Sequence, residues 1–311
     1  MKVAVLMSTF NGESYVSEQL DSLLQQSYTD FEIYIRDDGS SDDTLNIINS
    51  YKDKYTEVKV MESTENLGCA RSFLSLLNSV EADYYFFCDQ DDVWYRNKIE
   101  DCLSEFEPTD GPHLVHCDLK IVDEELSTIE NSFYRYQNMA PHIGYEKNRL
   151  VVQNYIVGCT MCFNKDLRDL VLHDYSDELN VAMHDWWIAL VARFFGKVTY
   201  INEQLIDYRQ HNNNVLGAAN NSLSRYLKSF TSGMGVKRVQ NFTEKVSAQA
   251  SSFYDCYSTK LQKDDKRLFR HAIKFNTKLG VINLLKLMIL ENIRLQGLKR
   301  NFALIFTSIK R

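Results

Sequence analysis

Apolar and polar positions alternate in a regular order along the first third of the chain. Short apolar runs predict β-strands, and segments whose apolar side chains recur every three or four positions predict amphipathic helices. The predicted strands are Lys2–Met7, Phe31–Arg36, Glu57–Met61, Asp83–Cys88 and Leu114–Cys117. The predicted helices are Glu13–Gln26, Asp42–Lys54 and Gly68–Val80. This order predicts an α/β, Rossmann-like fold with a mainly parallel sheet flanked by helices.

Polar clusters follow four of these predicted strands. They are STFNG at residues 8–12, DDGS at 37–40, ENLG at 65–68 and DQDD at 89–92. One such cluster is typical of an ordinary turn. Because ligands of open α/β sheets bind beyond the carboxyl ends of the strands, four clusters in corresponding positions predict a binding site at that edge.

Three carboxylates crowd the last of these clusters, at Asp89, Asp91 and Asp92. Carboxylates at this density repel one another unless they share a hard cation, and Mg²⁺ or Mn²⁺ held by acids and a diphosphate is the usual arrangement. A solvated acidic turn is the alternative for an isolated pattern of this kind. The sequence lacks GxGxxG after the first strand and GxxxxGK[ST] anywhere, which argues against a dinucleotide dehydrogenase and a P-loop enzyme.

Composition is that of a soluble globular protein: 311 residues, 44% hydrophobic and 25% charged, with three prolines. Seven cysteines without framework spacing favour a reduced, cytoplasmic location. The pair Cys159 and Cys162 has CxxC spacing but no second ligand pair nearby, so core packing is favoured over zinc or redox chemistry.

The end of the chain differs in charge from the rest. Residues 260–311 contain 13 Lys/Arg and 3 Asp/Glu, a net charge of +10, whereas the whole chain carries −7. The apolar run from Val281 to Leu295 is interrupted by charges and is shorter than the ~20 residues that a membrane-spanning helix needs. Two interpretations stay open: an amphipathic helix on an anionic membrane surface, or a helix docked on its own domain or on a second copy. Nucleic-acid binding is not favoured, because no reading module is recognisable.

The motifs, in this order and spacing, resemble those of the family-2 inverting glycosyltransferases with a GT-A fold. The runs that carry the resemblance are STFNGE at 8–13, DDGSSDDT at 37–44, ENLG at 65–68 and DQDDVW at 89–94. With HDWW at 184–187 and YRQHNNN at 208–214, the chain is similar to the rhamnosyltransferase branch. The resemblance covers residues 1–217, which implies a GT-A domain there and a helical, basic extension over 218–311.

The resemblance implies transfer of a sugar with inversion, L-rhamnose from dTDP-L-rhamnose, to a saccharide or lipid-linked acceptor in bacterial cell-surface polysaccharide synthesis. Asp38 would accept a hydrogen bond from the imide N–H of thymine or uracil, and Phe10 would lie against the base. Mg²⁺ or Mn²⁺ would be held by Asp91 and His211. The residues assigned to the nucleotide sugar are Thr9, Phe10, Asn11, Asp38, Asn66, Arg71 and Asp89.

Asp185 would be the general base that removes the proton of the acceptor hydroxyl. At the start of a predicted helix, Trp186–Phe195, a helix cap is the alternative role for this aspartate. Trp186, Trp187 and Asp92 would contact the acceptor, although the two tryptophan rings also suit the core.

Several functional alternatives remain at this stage. A UDP-hexose is the second candidate donor, because the base-binding acid does not define the sugar. A catalytically silent sugar-nucleotide-binding protein would need no Asp185. A nucleotidyltransferase would carry a glycine-rich basic loop near the N-terminus, whereas Ser8–Glu13 has one glycine and no base. Acceptor, linkage and oligomeric state, including a homo-oligomer, stay open.

Overall fold

The computed structural model describes residues 1–63, 65–108, 111–173, 175–176, 179–211, 234–276 and 280–309. These residues divide into two compact units. Unit 1 comprises Met1–Arg135, Ile156–His173 and the described residues from Met183 to His211. Unit 2 comprises Tyr136–Tyr155, the described residues between 174 and 182, and those from 234 onward. The predicted domain boundary at 217 and the asparagines that follow His211 lie outside the described residues.

Unit 1 is built on one sheet, to which the described residues contribute nine strands. The strands are β1 Val3–Thr9, β2 Phe31–Asp37, β3 Val58–Met61, β4 Tyr84–Cys88, β5 Val93–Trp94, β6 His113–Val122, β7 Thr128–Glu130, β8 Met161–Asn164 and β9 Lys197–Arg209. The helices between residues 16 and 195, of which α6 and α7 belong to unit 2, are α1 Val16–Leu24, α2 Thr44–Lys54, α3 Cys69–Ser79, α4 Lys98–Ser104, α5 Phe133–Gln137, α6 Pro141–Gly144, α7 Lys147–Leu150, α8 Lys165–Leu172 and α9 His184–Phe195.

The sheet has the order β3-β2-β1-β4-β8-β6-β9-β5, and β7 pairs with β6. The first four strands are parallel, as the alternating strand and helix pattern predicts. Strand β8 then pairs antiparallel with both β4 and β6, while β6 and β9 are parallel. The predicted α/β fold is therefore confirmed, with a sheet that is mixed as a whole because β8 runs against its neighbours.

Burial explains why the first strands consist of continuous apolar runs. Residues Val3–Met7 of β1 have no exposed surface, and Tyr85–Cys88 of β4 are equally buried. Helices cover both faces of a parallel sheet, so such strands need apolar side chains on both sides. In the parallel register Thr9 lies beside Asp37 and Met7 beside Cys88, which brings the segments after β1, β2 and β4 to one edge.

Unit 2 is helical in its described part. Its longer helices are α10 Met234–Tyr257, α11 Lys263–Ala272, α12 Val281–Leu290 and α13 Leu298–Ile309. Its core includes the stacked rings of Phe253 and Phe269, whose centroids are 4.5 Å apart. The helical C-terminal part predicted from the sequence is thus confirmed. Within the described ranges, no helix is both long and apolar enough to cross a membrane.

Candidate active site

The loop after β1 is fixed to the acidic loop after β4 by one side-chain amide. Gln90 Oε1 accepts a hydrogen bond from Phe10 N at 2.8 Å, and Gln90 Nε2 donates to Phe10 O at 3.1 Å. A Cβ on Gly12 would lie 2.3 Å from Gln90 Oε1, so only glycine permits this close approach. The backbone bonds leave the Phe10 ring 47% exposed at the edge of the site.

Asp37 and Asp38, after β2, are surrounded by donors. Asp37 Oδ2 accepts from the backbone N–H groups of Gly39 and Ser40, at 3.1 and 2.8 Å. Asp38 forms a buried ion pair with Arg36, and its two oxygens accept from Leu67 N and Gly68 N, each at 2.8 Å. A carboxylate has about four acceptor positions, so one position of Asp38 is left for a ligand.

Asp89 and Asp92, after β4, have a different environment. One carboxylate oxygen of each and the thiol sulfur of Cys159 all lie within 4.8 Å of one another. Burial, then the charges of Asp91 and Asp185, raise the pKa of Asp89 to about 7. Burial, then the charges of Asp91 and Asp89, raise the pKa of Asp92 well above its usual value. Among the described residues, neither Asp89 nor Asp92 has an arginine partner like the one that Asp38 has in Arg36.

The two carboxylate oxygens of Asp92 differ in their hydrogen bonds. Its Oδ1 accepts from Arg209 N at 3.2 Å. Its Oδ2 has no nitrogen or oxygen donor among the described residues, although the Cys159 thiol lies close enough to lower the pKa. A buried carboxylate oxygen without a donor is costly, and a bound cation offsets that cost.

Asp91 and His211 are in direct contact. Asp91 Oδ2 and His211 Nε2 are 2.8 Å apart, and the imidazole stacks on Tyr15 with ring centroids 4.7 Å apart. Arg209, two residues before His211, donates from Nε to Asp91 O at 2.9 Å and pairs with Glu18. The end of β9 therefore fixes both the histidine and the backbone of the acidic loop.

Asp185 lies in the first turn of α9, next to a 3-10 turn at Gly158–Thr160. A Cβ on Gly158 would lie 3.6 Å from the Cβ of Asp185 and 2.8 Å from His184 Nε2, so this turn requires glycine. Asp185 Oδ1 accepts from Trp186 N at 2.6 Å, but Met183 occupies the N-cap position of α9, so Asp185 satisfies one backbone N–H of the first turn and is not the helix cap. This bond uses one of its oxygens and is compatible with a further contact.

The turn at Gly158–Thr160 lies between the acidic loop and the start of α9. The Cys159 sulfur lies within 4.8 Å of a carboxylate oxygen of Asp89 and of Asp92, and Gly158 packs closely against His184 and Asp185. The parallel register of β1 with β2 and β4 brings the segment after β2 to the same edge of the sheet as the acidic loop. In agreement, the pKa of the Cys69 thiol is raised first by burial and then by the charges of Asp89, Asp185, Asp38 and Asp91.

Lys98 lies behind the acidic cluster with no exposed surface. Its Nζ donates to Cys159 O at 2.8 Å and lies over the ring of Trp94. Burial lowers the pKa of this ammonium group, and its charge lowers that of Asp89. Lys98 therefore holds the turn that carries Cys159 and partly offsets the acids.

The remaining predicted residues differ in accessibility. Thr9 is buried and donates to Asp37 Oδ1 at 3.0 Å, while Asn11 Oδ1 accepts from Ser41 N at 2.8 Å. Asn66 and Arg71 are exposed at this edge. Trp187 has no exposed surface and Trp186 only 5%, because both rings pack in the core. The predicted acceptor role of these tryptophans stays a prediction, and the burial of Trp187 weighs against it.

These residues fit a divalent cation. Three carboxylates and an imidazole supply oxygen and nitrogen ligands of the kind that Mg²⁺ and Mn²⁺ accept, and the Asp92 oxygen described above lacks a donor. Asp91 and His211 are one pair of possible ligands, and Asp89 and Asp92, with the Cys159 thiol beside them, are a second group that could hold a cation. A cation bound at this edge would hold the phosphates of a nucleotide.

Comparison with protein-family models matches residues 4–171 to "Glycosyl transferase family 2". The matched region is more than half of the chain. The chain belongs to glycosyl transferase family 2. The match covers the loops that contain Asp38 and Asp91.

Among curated proteins, the chain is similar to dTDP-rhamnosyl transferase RfbG of Shigella flexneri, with 27% identity over 80% of this chain and 85% of that protein. It is also 24% identical to the putative teichuronic acid biosynthesis glycosyltransferase TuaG of Bacillus subtilis, over 68% of this chain and 81% of that protein.

Solved structures confirm the GT-A fold. TarS 1-349 of S. aureus in complex with UDP-GlcNAc has a TM-score of 0.56 at 17% identity, covering 100% of this chain and 91% of that chain. The mannosyltransferase PcManGT of Pyrobaculum calidifontis, in complex with GDP-Man and Mn²⁺, has a TM-score of 0.55 at 15% identity, covering 99% and 86%.

The sequence did not identify the residues that hold the loops and side chains of the site in position. They are Tyr15, Arg36, Gln90, Lys98 and Arg209, and for Cys159 core packing was favoured over zinc or redox chemistry. The available signals were a charged residue inside an apolar strand at Arg36 and a lysine in an otherwise amphipathic helix start at Lys98. Neither signal reveals the partner of its residue, because the contacts in this group join positions from 2 to 196 residues apart.

Proposed function

We propose that the protein is a metal-dependent inverting glycosyltransferase that moves a sugar from a nucleoside diphosphate to a hydroxyl of a saccharide or lipid-linked saccharide. The observation that carries the proposal is geometric: the register of β1, β2 and β4 brings the loops of Asp38 and Asp91 to one edge of the sheet, and the turn at Gly158–Thr160 lies between that acidic loop and Asp185. Such a site needs an acceptor for the nucleobase, acids for a cation and a base for the incoming alcohol, and each has a candidate residue here.

The donor would bind between the loops after β1, β2 and β4. Asp38 has one acceptor position left, which suits the imide N–H of thymine or uracil, and its ion pair with Arg36 holds the carboxylate in place. Phe10, half exposed beside it, offers a ring face to the base. Asn11, Asn66 and Arg71 line the same edge, and Arg71 suits the diphosphate because guanidinium matches phosphate geometry.

The proposed ligands of the divalent ion are Asp91 and His211, with Asp89 and Asp92 adjacent. When bound, Mg²⁺ or Mn²⁺ would stabilise the charge that develops on the departing diphosphate. Tyr15 and Arg209 keep His211 and the acidic loop in position through stacking and through the bond to Asp91 O. Asp89 and Asp92 then retain negative charge beside the ion.

Asp185 would act as the general base. Inversion by direct displacement requires a base on the face opposite the leaving group, which removes the proton of the acceptor hydroxyl as the new bond forms. The bond from Trp186 N orients the Asp185 carboxylate, and glycine at position 158 allows the adjacent turn to pack closely against His184 and Asp185.

We propose dTDP-L-rhamnose as the donor and bacterial cell-surface polysaccharide synthesis in the cytoplasm as the setting. Support comes from the similarity to a protein named as a dTDP-rhamnosyl transferase and to one named for teichuronic acid biosynthesis. A UDP-sugar is the second candidate, because uracil offers Asp38 the same imide N–H as thymine.

A panel of nucleotide sugars tests this proposal. We expect Mn²⁺-dependent release of nucleoside diphosphate from dTDP-L-rhamnose, and slower release from UDP-glucose, UDP-GlcNAc and GDP-mannose. Faster release from a UDP-sugar would replace dTDP-L-rhamnose as the proposed donor and would leave the proposed mechanism unchanged. Tight binding of a donor with no release in the presence of any saccharide acceptor would favour a silent binding protein.

A further inference from the structure

The last two helices of unit 2 turn large apolar side chains toward solvent. Among the described residues, seven of the eleven large hydrophobic side chains that are exposed lie between positions 282 and 309. We define the α12–α13 apolar surface by six of them, each between 62% and 80% exposed: Ile282, Ile289, Leu290, Leu298, Phe302 and Ile309.

Helical spacing places these residues on one side of each helix. On α13 the exposed positions 298, 302 and 309 recur at intervals of four and seven, whereas the buried positions are Ala303, Leu304, Thr307 and Ser308. Apart from Leu304, the buried side chains of α13 are therefore small or polar, whereas Leu298, Phe302 and Ile309 face outward. A helix that only completes a core shows the reverse pattern.

Basic residues accompany the apolar ones. Lys286 is exposed between Ile282 and Leu290 at helical spacing, and Lys299 is exposed beside Leu298. The segment from residue 260 to 311 has a net charge of +10 while the whole chain has −7. An exposed apolar surface with a cationic border is the pattern of helices that lie in a membrane interface.

We infer that the α12–α13 apolar surface docks on an anionic lipid surface. At 12 residues, α13 is about 18 Å long, too short for a hydrocarbon core of about 30 Å, so it would lie along the surface. A second copy of the chain fits less well, because a two-fold interface would bring this cationic segment against itself. Anionic lipid instead attracts the lysines and covers the apolar side chains.

Sedimentation of the full chain with vesicles tests the inference. We expect strong binding to vesicles of phosphatidylglycerol and phosphatidylcholine in equal amounts, weak binding to phosphatidylcholine alone, and loss of binding at about 1 M salt because charges are screened. Ile289→Ser with Phe302→Ser should lower the partition coefficient on anionic vesicles at least about tenfold. Lys286→Gln with Lys299→Gln should lower it by about tenfold as well.

The matched control is Leu45→Ser with Ile129→Ser, which removes two exposed apolar side chains, 42% and 48% exposed, from unit 1. It should bind anionic vesicles like the unmodified chain. Circular dichroism and nucleotide-sugar hydrolysis should be unchanged in all variants, so a failure of lipid binding is separable from a failure of the proposed transferase activity.

Two results would overturn the inference. Equal partition of the unmodified chain and the Ile289→Ser, Phe302→Ser variant on anionic vesicles would show that this surface does not meet lipid. A dimer in sedimentation equilibrium that the same variant dissociates, without vesicle binding by the unmodified chain, would show that a second copy covers it.

Discussion

Two acidic loops at the same edge of the sheet differ in how their charge is neutralised. Asp38, after β2, has the Arg36 guanidinium and two backbone N–H groups. Asp89 and Asp92, after β4, have like charges and a thiol as neighbours, and the buried ammonium group of Lys98, whose charge lowers the pKa of Asp89, donates to the carbonyl of Cys159. The charge of Asp38 is balanced within the protein, whereas the loop after β4 has negative charge left for a ligand.

This difference distinguishes acids that stabilise the fold from acids that lower its stability as long as no cation is bound. A carboxylate that the protein itself pairs contributes to folding, whereas repelling buried carboxylates lower the free energy of unfolding until a cation is bound. The sequence alone does not distinguish these two roles, since both loops contain adjacent aspartates. The hydrogen-bond donors and cations that surround each carboxylate in the structure do distinguish them.

The largest effect is expected at Asp185, whose charge contributes to the crowded group. Asp185→Asn keeps the oxygen that accepts from Trp186 N but removes the base, so turnover should fall by about 10³-fold with little change in donor binding. Steady-state kinetics with a saccharide acceptor measures this. Near-normal turnover of the folded variant would leave Asp185 only the role of accepting the bond from Trp186 N.

The next effect concerns the ion. Asp91→Asn removes one proposed ligand charge beside His211, and we expect turnover to fall by about 10²-fold at fixed Mn²⁺, with partial recovery at higher Mn²⁺. Exhaustive chelation of the unmodified enzyme should abolish turnover, and added Mn²⁺ or Mg²⁺ should restore it. Activity that survives chelation would show that the reaction does not require a metal ion.

A matched pair of substitutions tests the contrast in stability. Asp38→Asn leaves Arg36 buried without its carboxylate, so the free energy of unfolding should fall by about 3 kcal/mol. Asp92→Asn removes a repelling charge and keeps the acceptor of Arg209 N, so the free energy of unfolding should rise by about 1 kcal/mol. Urea unfolding without added metal compares them. Equal losses in both variants would contradict the contrast.

A further effect on stability is a pH dependence from His184, which packs on Phe73 and Phe87. Burial lowers its pKa to about 3 from the usual 6.5, so between these values only the unfolded chain binds the proton. Its contribution to stability is complete above pH 6.5 and is lost as the pH falls toward 3, at up to about 1.4 kcal/mol per pH unit.

Replacing His184 by leucine should reduce this slope, as measured by urea unfolding between pH 7 and pH 4. His116, also buried with a pKa of about 3, is present in both proteins and contributes the same background slope. An unchanged slope in the leucine variant would assign the acid sensitivity to other groups.

The sequence predicts the elements well because their signals are local. Predicted strands such as Phe31–Arg36 agree with β2, and the predicted helix 42–54 agrees with α2 to within two residues. The antiparallel insertion of β8 was not predicted, because strand pairing over a long separation leaves no periodic trace. The apolar run from Val281 to Leu295 contains only one helix, α12, which ends at Leu290.

The sequence predicted where the site lies but not which residues hold its side chains in position. The strand-end clusters indicate where ligand-binding residues gather, because parallel strands share one carboxyl edge. The contacts of Arg36 with Asp38, of Lys98 with Cys159 and of Arg209 with Asp91 depend on tertiary packing. The same limit applies to Trp187, whose full burial is set by surrounding helices and strands.

Binding of Mn²⁺ measured by electron paramagnetic resonance, in the presence of nucleoside diphosphate, tests the central claim most directly. We predict one ion per chain, an affinity at least about tenfold lower in Asp91→Asn, and hyperfine coupling to a histidine nitrogen that His211→Ala removes. Ion binding that is unchanged by both substitutions would contradict the claim that the acidic loop after β4 holds the cation.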